Sequence, residues 1–166
     1  NGFPMAAIIG KRRVMQAAQD TFISSTYWTD RTGPAAALAT LKKMKKVNVP
    51  KRIAIEAAAM RAGWTNTAQK HGLKIKVGGT VPYNTFSFLY DDALALKTLF
   101  TQEMLERGFL ASTEFNPSIA HTPAHIKRYI KTLDAVFVEI RKAIDTKSVR
   151  KRLKGPIAHS HFARLN

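Results

Sequence analysis

The clearest pattern of apolar and polar residues in the chain lies between residues 122 and 145. Apolar side chains recur there at steps of three and four, the spacing of one face of an α-helix. These positions are Ile126, Tyr129, Ile130, Leu133, Val136, Phe137, Ile140 and Ile144. Thr122 precedes the run and Pro123 opens it, a combination typical of a helix N-terminus. The pattern therefore predicts a long amphipathic helix that begins after Thr122.

The first half of the chain predicts one short strand and three helices. Residues 6–9 form a short apolar run typical of a buried strand, and residues 11–18 show helical spacing. A second helix is expected to begin near Thr32, whose hydroxyl makes it a good N-cap. A third is expected over residues 51–70, because His71-Gly72 then supplies a C-terminal stop.

The second half predicts a small sheet with helices. Residues 73–77 and 85–89 alternate between apolar and polar side chains, as half-buried strands do, and Gly78-Gly79 is expected to break the first of them. Residues 109–111 are expected to form a third strand. A helix capped by an aspartate is expected between the second and third strands. The order of elements predicts an α/β fold, of the α+β kind in the second half.

Net charge is the unusual feature of the composition. The 166 residues carry 27 lysines and arginines against 11 aspartates and glutamates, which gives a formal charge of +16. This excess is typical of proteins that bind nucleic acids or anionic surfaces. However, no aromatic residues alternate with the basic clusters as stacking platforms, and no helix-turn-helix, zinc-finger or RNA-binding motif accompanies them. A solvated basic face is the favoured interpretation, and a basic nucleic-acid-binding module remains the alternative.

Several other classes of site are disfavoured by the composition. The absence of cysteine rules out disulfides and thiolate metal sites within this sequence and agrees with a reducing compartment. His159 and His161 lie two residues apart, but no further ligand lies near them, so no metal site is predicted. No run approaches the roughly 18 consecutive apolar residues of a membrane span. The expected location is the cytoplasm, with no membrane partner.

The stretch most informative about function covers residues 22–37. It places five serine and threonine hydroxyls just before an alanine-rich helix; they are Ser24, Ser25, Thr26, Thr29 and Thr32. Hydroxyls next to a helix N-terminus favour anions, because the first N–H groups of a helix lack intrahelical partners and its dipole is positive there. The stretch therefore predicts an anion site.

This stretch and three other segments, taken in order, resemble the class III aminotransferases of fold type I, which use pyridoxal phosphate. The other segments are Asn1-Gly2-Phe3-Pro4, residues 104–110 and Ala120-His121-Thr122. The resemblance is greatest to the glutamate-1-semialdehyde aminomutase-like branch. In this family the lysine that forms the Schiff base lies a few residues before a turn like that at residues 1–4. The resemblance therefore implies a lysine upstream of Asn1, and a C-terminal part of a longer enzyme that is inactive alone.

The resemblance also implies a set of cofactor contacts. In the family, a threonine five positions before the proline of a comparable turn contacts the cofactor phosphate of the partner subunit, which implies a homodimer. Counting back from Pro34 gives Thr29. Trp28, Ser25 and Thr26 are further candidates for the same phosphate. The residues between Thr29 and Pro34 differ from those usual in the family, so the detailed geometry stays open.

Three residues are candidates for binding the substrate. The Arg31 guanidinium suits a carboxylate, although a surface ion pair with Asp30 is the simpler alternative. Glu114 and His121 belong to a segment where the aminomutase branch places a carboxylate and small polar residues. Glu114 matches only across a gap, and His121, next to the Thr122 cap, has a structural role as its alternative.

The resemblance implies two domains and one activity. Residues 1–70 correspond to the end of the large cofactor-binding domain and a connecting helix, and residues 71–166 to a small C-terminal domain with an antiparallel sheet and covering helices. The implied function is transfer of an amino group on a small amino-acid or aldehyde substrate.

Overall fold

A computed structural model of the chain describes residues 2–24, 26–27 and 29–159. The chain forms two compact units, Asn1–Asn48 and Val49–Asn166. In the described part, none of the helices combines the length and apolar character that crossing a membrane requires. The predicted domain boundary near residue 70 stays a prediction.

The first unit contains one long helix and a short helical segment. Helix α1 covers Arg12–Met15 and continues as a 3₁₀ helix over Gln16–Asp20, in agreement with the helical spacing of residues 11–18. Helix α2 covers Thr32–Val47 and ends at Asn48, which adopts the left-handed conformation with φ of 48°. A short polar side chain makes asparagine one of the few residues that tolerate this conformation.

The predicted strand at residues 6–9 is wrong. These residues pair with no other strand in the described part of the chain, and a strand is defined by its hydrogen bonds to a neighbour. The preceding residues pack instead along α2, where the small Gly33 admits them. A Cβ at Gly33 would lie 3.0 Å from the carbonyl oxygen of Pro4.

The second unit is a three-stranded antiparallel sheet with three long helices. The helices are α3 (Val49–Lys70), α4 (Ala93–Glu106) and α5 (Pro123–Asp145). The strands are β1 (Ile75–Thr80), β2 (Tyr83–Phe88) and β3 (Glu114–Phe115), in the order β1-β2-β3. A 3₁₀ helix follows over Arg150–Arg152. This architecture confirms the predicted α+β fold with an antiparallel sheet.

Two details of the predicted sheet are wrong. Strand β1 runs through Gly78 and Gly79, which pair with Thr85 and Asn84. The third strand lies at residues 114–115 and not at 109–111. After α4 the backbone N–H of Phe109 donates to the Met104 carbonyl, a bond that closes the helix end and holds the following residues in a turn.

Aromatic side chains fill the core between the sheet and the helices. Phe86 lies at the centre, with ring-centroid distances of 5.0 Å to Trp64, 5.5 Å to Phe88, 5.2 Å to Phe100 and 6.2 Å to Phe137. These five side chains are nearly or fully buried. Tilted and edge-to-face contacts of this kind add to the stabilisation that comes from burial. The core thereby fixes α3, α4 and α5 on one face of the sheet.

Most of the lysines and arginines between residues 141 and 154 lie in ion pairs. In the basic stretch from residue 141 to 154, Arg141 pairs with Asp145 and Lys154 with Glu106. Arg150 pairs with Asp92, and Arg152 with Glu139; they join the last turns of the chain to other elements. The pairs are partly exposed, and each contributes little to stability. They do reduce the number of free cations that this stretch presents.

Candidate active site

The hydroxyl-rich turn of the first unit is exposed. Thr26, Thr29 and Arg31 are each exposed to solvent. Ser25 and Trp28 lie outside the described residues. The predicted anion site is therefore accessible at Thr29, as a phosphate contact needs.

The N-terminus of α2 differs from the prediction in one important respect. Thr32 is the first residue of the helix and not its cap, and Arg31 at the N-cap position makes no side-chain cap. Instead the Asp30 carboxylate accepts a hydrogen bond of 2.8 Å from the Thr32 backbone N–H. This bond, together with one from the Thr32 side chain, lowers the pKa of Asp30. A carboxylate therefore already occupies the first donor of the helix.

Few backbone donors remain in this first turn for another anion. Pro34 has no N–H, and the Ala35 N–H donates to the Arg31 carbonyl at 2.9 Å. The Gly33 N–H is left as the donor without an acceptor among the described residues. An anion at this turn must therefore be held mainly by side chains.

The donor set of this turn fits the phosphate of pyridoxal phosphate. Exposed hydroxyls at Thr26 and Thr29 and the guanidinium of Arg31 are groups that bind phosphate oxygens well. Within residues 22–37, Asp30 is the one residue whose charge has the same sign as a phosphate. The roles of these residues stay predictions.

The second unit contains a cavity of about 320 Å³ beside β3 and the start of α5. One side of it is formed by the segment from Phe109 to Asn116, and the other by His121, His125 and the first turns of α5. Its size suits a small ligand. The cavity brings together Glu114 and His121, which the sequence analysis selected as substrate-binding candidates.

Each of the two histidines is oriented by a backbone N–H. The Nδ1 atom of His121 accepts from the Ser118 backbone at 3.0 Å, and the ring meets Phe115 edge to face at a centroid distance of 5.0 Å. The Nδ1 atom of His125 accepts from the Thr122 backbone at 3.3 Å, while Thr122 Oγ1 accepts from the His125 N–H. This reciprocal pair forms the capping box of α5, so the predicted N-cap at Thr122 is confirmed.

The Glu114 side chain is held on the exposed side of the sheet. In the β2–β3 register Glu114 lies opposite Thr85, whereas the neighbouring Phe115 lies opposite the buried Asn84. The carboxylate accepts a hydrogen bond from the Tyr83 hydroxyl, which raises the pKa of Tyr83. Glu114 therefore borders the cavity and interacts with the Tyr83 hydroxyl.

Among the polar residues of this cavity that sequence reasoning missed are His125 and Tyr129. Tyr129 reads as a core residue because it occupies an apolar position of α5, and it is indeed 8% exposed. Its hydroxyl oxygen accepts a hydrogen bond of 3.1 Å from Trp64 Nε1, and burial raises the pKa of Tyr129 to about 12. The available signal was chemical, since a phenol in an apolar stripe needs a polar partner.

Comparison with known proteins finds relatives that are aminotransferases. No protein-family model matches the chain. An aminopentol aminotransferase of Sphingopyxis macrogoltabida is 27% identical over 139 residues, which cover 82% of this chain and 33% of that enzyme. A 2'-deamino-2'-hydroxyneamine transaminase of Streptomyces kanamyceticus is 27% identical, over 84% of this chain and 36% of that enzyme. The chain is homologous to the class III aminotransferases, which depend on pyridoxal phosphate.

A further relative is an aminomutase. A glutamate-1-semialdehyde 2,1-aminomutase of Desulfosudis oleivorans is 26% identical over 156 residues, covering 84% of the chain and 36% of that enzyme. The chain thus spans about a third of the length of the relatives it matches.

A solved structure supports the fold. The FumI protein of Sphingopyxis sp. MTA144, in its pyridoxal-phosphate internal aldimine form, matches with a TM-score of 0.72 and 24% identity. The match covers 83% of this chain and 34% of FumI, in its C-terminal portion. The expected fold, that of the C-terminal part of a pyridoxal-phosphate-dependent transferase, is confirmed.

Proposed function

We propose that the protein containing this chain transfers an amino group on a small amino-acid or aldehyde substrate with pyridoxal phosphate. The observation that carries the proposal is the similarity, along more than four fifths of the chain, to three enzymes that are named for moving amino groups. Because the chain spans only a third of those enzymes, the activity belongs to the longer protein. A glutamate-1-semialdehyde aminomutase-like reaction, within one molecule, is the finer proposal, and a cytoplasmic location goes with it.

Within this activity, Thr29 is proposed to hold the cofactor phosphate of a partner subunit in a homodimer. The Thr29 hydroxyl donates to a phosphate oxygen, and Thr26, Ser25 and Trp28 are the further candidates for the same phosphate. Its exposure next to the start of α2 supports this role, because a contact across subunits requires an accessible side chain. The nearby Arg31 guanidinium, also exposed, adds positive charge for the phosphate or for a substrate carboxylate.

Pyridoxal phosphate, when bound, supplies the carbonyl carbon that takes the amino group and a ring that withdraws electrons from the substrate. The residues of this chain bind and orient. Thr29 fixes the phosphate end of the cofactor, and His121 and Glu114 border the cavity proposed as part of the substrate entrance.

The test of the Thr29 role uses the full-length protein. Replacing Thr29 by Ala removes the hydroxyl and is expected to weaken cofactor retention roughly tenfold or more, since hydrogen bonds to charged groups contribute about 1.5–3 kcal/mol. Retention is measured by the visible absorbance of bound pyridoxal phosphate after dialysis. Thr29→Ser keeps the hydroxyl and serves as the matched control. Equal retention by the alanine variant and the wild type would remove Thr29 from the cofactor site.

A mixed dimer tests whether the contact crosses between subunits. One subunit carries Thr29→Ala, and the other lacks the lysine that binds the cofactor. If Thr29 serves the partner's cofactor, one of the two sites receives both an intact lysine and an intact Thr29, so activity returns in the mixture. If Thr29 serves its own subunit, neither site is complete and activity stays low.

A further inference from the structure

The two units of the chain balance their charges differently. Residues 1–48 contain eight lysines and arginines against two acidic residues, whereas residues 49–166 contain 19 against nine. In the second unit many of the cations pair with carboxylates, but the ion pairs of the described residues include no cation of the first unit. The first unit therefore carries a large excess of positive charge for its length, and no ion pair within the described ranges neutralises it.

Half of the cations of the first unit lie close together on α2. They are Lys42, Lys43, Lys45 and Lys46, here called the α2 lysine patch, and all four side chains are exposed. Side chains three and four positions apart are neighbours on a helix surface. At 3.6 residues per turn the four lysines occupy less than half of the circumference of α2. The patch is therefore a continuous, one-sided positive surface.

This arrangement is unfavourable for the helix itself. Lys42 lies four positions before Lys46 and three before Lys45, and like charges at these spacings destabilise a helix. Helix α2 has no acidic residue that could relieve the repulsion. The negative end of the helix dipole favours Lys45 and Lys46, which lie in the last turn, but it does not account for the two preceding lysines. An external anion relieves the repulsion at all four positions.

The phosphate backbone of a nucleic acid suits the dimensions of the patch. An α-helix rises about 1.5 Å per residue, so the four lysines extend over about 6 Å along the axis of α2. Duplex DNA carries one negative charge per about 1.7 Å of its own axis, which brings several phosphates within reach of the patch. The flexible lysine side chain contacts phosphate as a point charge and needs no fixed geometry.

A membrane surface is the less suitable anion. A helix that lies in a membrane interface needs a broad apolar face, commonly with tryptophan or phenylalanine. The sequence of α2 has no aromatic residue. Its exposed Leu38 and Leu41 lie on the same side as Lys45, which follows Leu41 by one turn and Leu38 by two, so a charge interrupts the apolar side.

We propose that the α2 lysine patch binds the phosphate backbone of a nucleic acid without reading its sequence. This interaction goes beyond the transfer of an amino group. Because α2 offers no aromatic side chain on which a base could stack, the attraction is electrostatic. Lys42 lies about 15 Å along the helix from Thr32, so binding at the patch leaves the turn around Thr29 accessible.

The test compares variants of the full-length protein that lose the same charge at different places. Binding to a fluorescein-labelled DNA duplex of mixed sequence is followed by fluorescence anisotropy. The patch variant combines Lys42→Gln, Lys43→Gln, Lys45→Gln and Lys46→Gln, because glutamine has a helix propensity close to that of lysine. An arginine variant replaces the same four lysines and keeps their charge.

The matched control carries four glutamine substitutions in the second unit. They replace Lys74, Lys76, Lys127 and Lys131, which are exposed and belong to none of the ion pairs of the described residues. These lysines are divided between the region of β1 and helix α5 and do not form one cluster on a single helix. The control therefore matches the patch variant in net charge but keeps the α2 lysine patch.

The patch variant is expected to reduce the slope of log Kd against log salt concentration by about 3–4, since each neutralised phosphate contributes about 0.9. At about 50 mM salt its Kd is expected to rise at least tenfold, against less than threefold for the control and the arginine variant. Lys42→Gln with Lys43→Gln, which leaves the last turn unchanged, is expected to reduce the slope by about 2. This double variant gives the same answer if the fourfold variant folds poorly by circular dichroism.

Three outcomes overturn the proposal. The first is a wild type that shows no saturable binding to the duplex at low salt and micromolar protein. The second is an equal loss of affinity in the patch variant and the control, which assigns the binding to net charge. The third is patch-dependent sedimentation with vesicles of phosphatidylserine and phosphatidylcholine in the absence of duplex binding, which assigns the patch to a membrane.

Discussion

Gly63 is the position in the second unit where adding a single methyl group has the clearest expected cost. A Cβ built there would lie 2.6 Å from Cδ1 and 2.7 Å from Cγ1 of Ile130, well inside contact distance. Gly63 is buried in α3, and Ile130 projects from α5, so the absence of a side chain lets the two helices approach closely. The substitution Gly63→Ala must push Ile130 or the helix itself.

The magnitude follows from two opposing effects. Alanine in place of glycine in a helix interior stabilises by about 1 kcal/mol. Overpacking a filled interface costs about 1–3 kcal/mol. Gly63→Ala is therefore expected to lower the free energy of unfolding by about 0–2 kcal/mol, even though alanine is the better helix former.

The same substitution is expected to change sign when its neighbour is small. In an Ile130→Ala background the clashing atoms are gone, and Gly63→Ala is expected to stabilise by about 1 kcal/mol. The coupling between the two sites is then about 1–3 kcal/mol, as for residues in direct contact. Without this coupling, contact with Ile130 is not the reason for a glycine at this position.

Urea denaturation followed by tryptophan fluorescence provides the assay. Trp64 is fully buried next to Gly63, and the sequence has only one other tryptophan, Trp28. A Trp28→Phe background therefore makes the signal report on Trp64 alone. An equal effect of Gly63→Ala in both Ile130 backgrounds would refute the reasoning.

Three further predictions concern single contacts of the second unit. Thr122→Ala removes the N-cap of α5 and should cost about 1 kcal/mol in urea denaturation, with Thr122→Ser close to wild type. Asn84→Ala should lower the free energy of unfolding by about 1–3 kcal/mol. The buried Asn84 amide donates to the Ala57 carbonyl at 3.2 Å and accepts from Arg61, and the substitution removes both bonds. Alanine at the exposed Asn116 is the control. Hydrogen bonds from Lys70, then His71, lower the pKa of Asp134 below its unfolded value of about 4. The stabilisation that Asp134 contributes should be fully present above about pH 4 and lost as the pH falls through its folded pKa. In Asp134→Asn, the free energy of unfolding measured across a pH series should lack this loss at acidic pH.

The sequence predicted those elements whose pattern is local. Helix α5 carries an apolar stripe, a capping threonine and a proline at its first position, and all three are present in the structure. The strand at residues 6–9 failed because apolar residues alone do not supply a partner strand. The third strand was misplaced because the hydrogen bonds after Gly108 close a helix, and neither propensity nor alternation reveals that competition.

The candidate site shows the same division. Glu114 and His121 were selected through resemblance, and the structure brings both to one cavity. His125 and Tyr129 were missed because their positions on α5 explain them fully as a cap and a core residue. Their position in the cavity lining depends on which elements pack together, and that information lies in the tertiary structure.

The Asp30 carboxylate places a negative charge in the turn before α2, next to the positive end of the helix dipole. If Thr29 holds a phosphate as proposed, loading this turn is an exchange, in which an incoming dianion must displace or tolerate a carboxylate that already occupies the Thr32 N–H. The affinity for the cofactor phosphate then depends on how much more strongly this turn binds the phosphate than the Asp30 carboxylate. Asp30→Asn is expected to strengthen cofactor retention and to destabilise the first turn of α2. Cofactor affinity and local helix stability would then change in opposite directions.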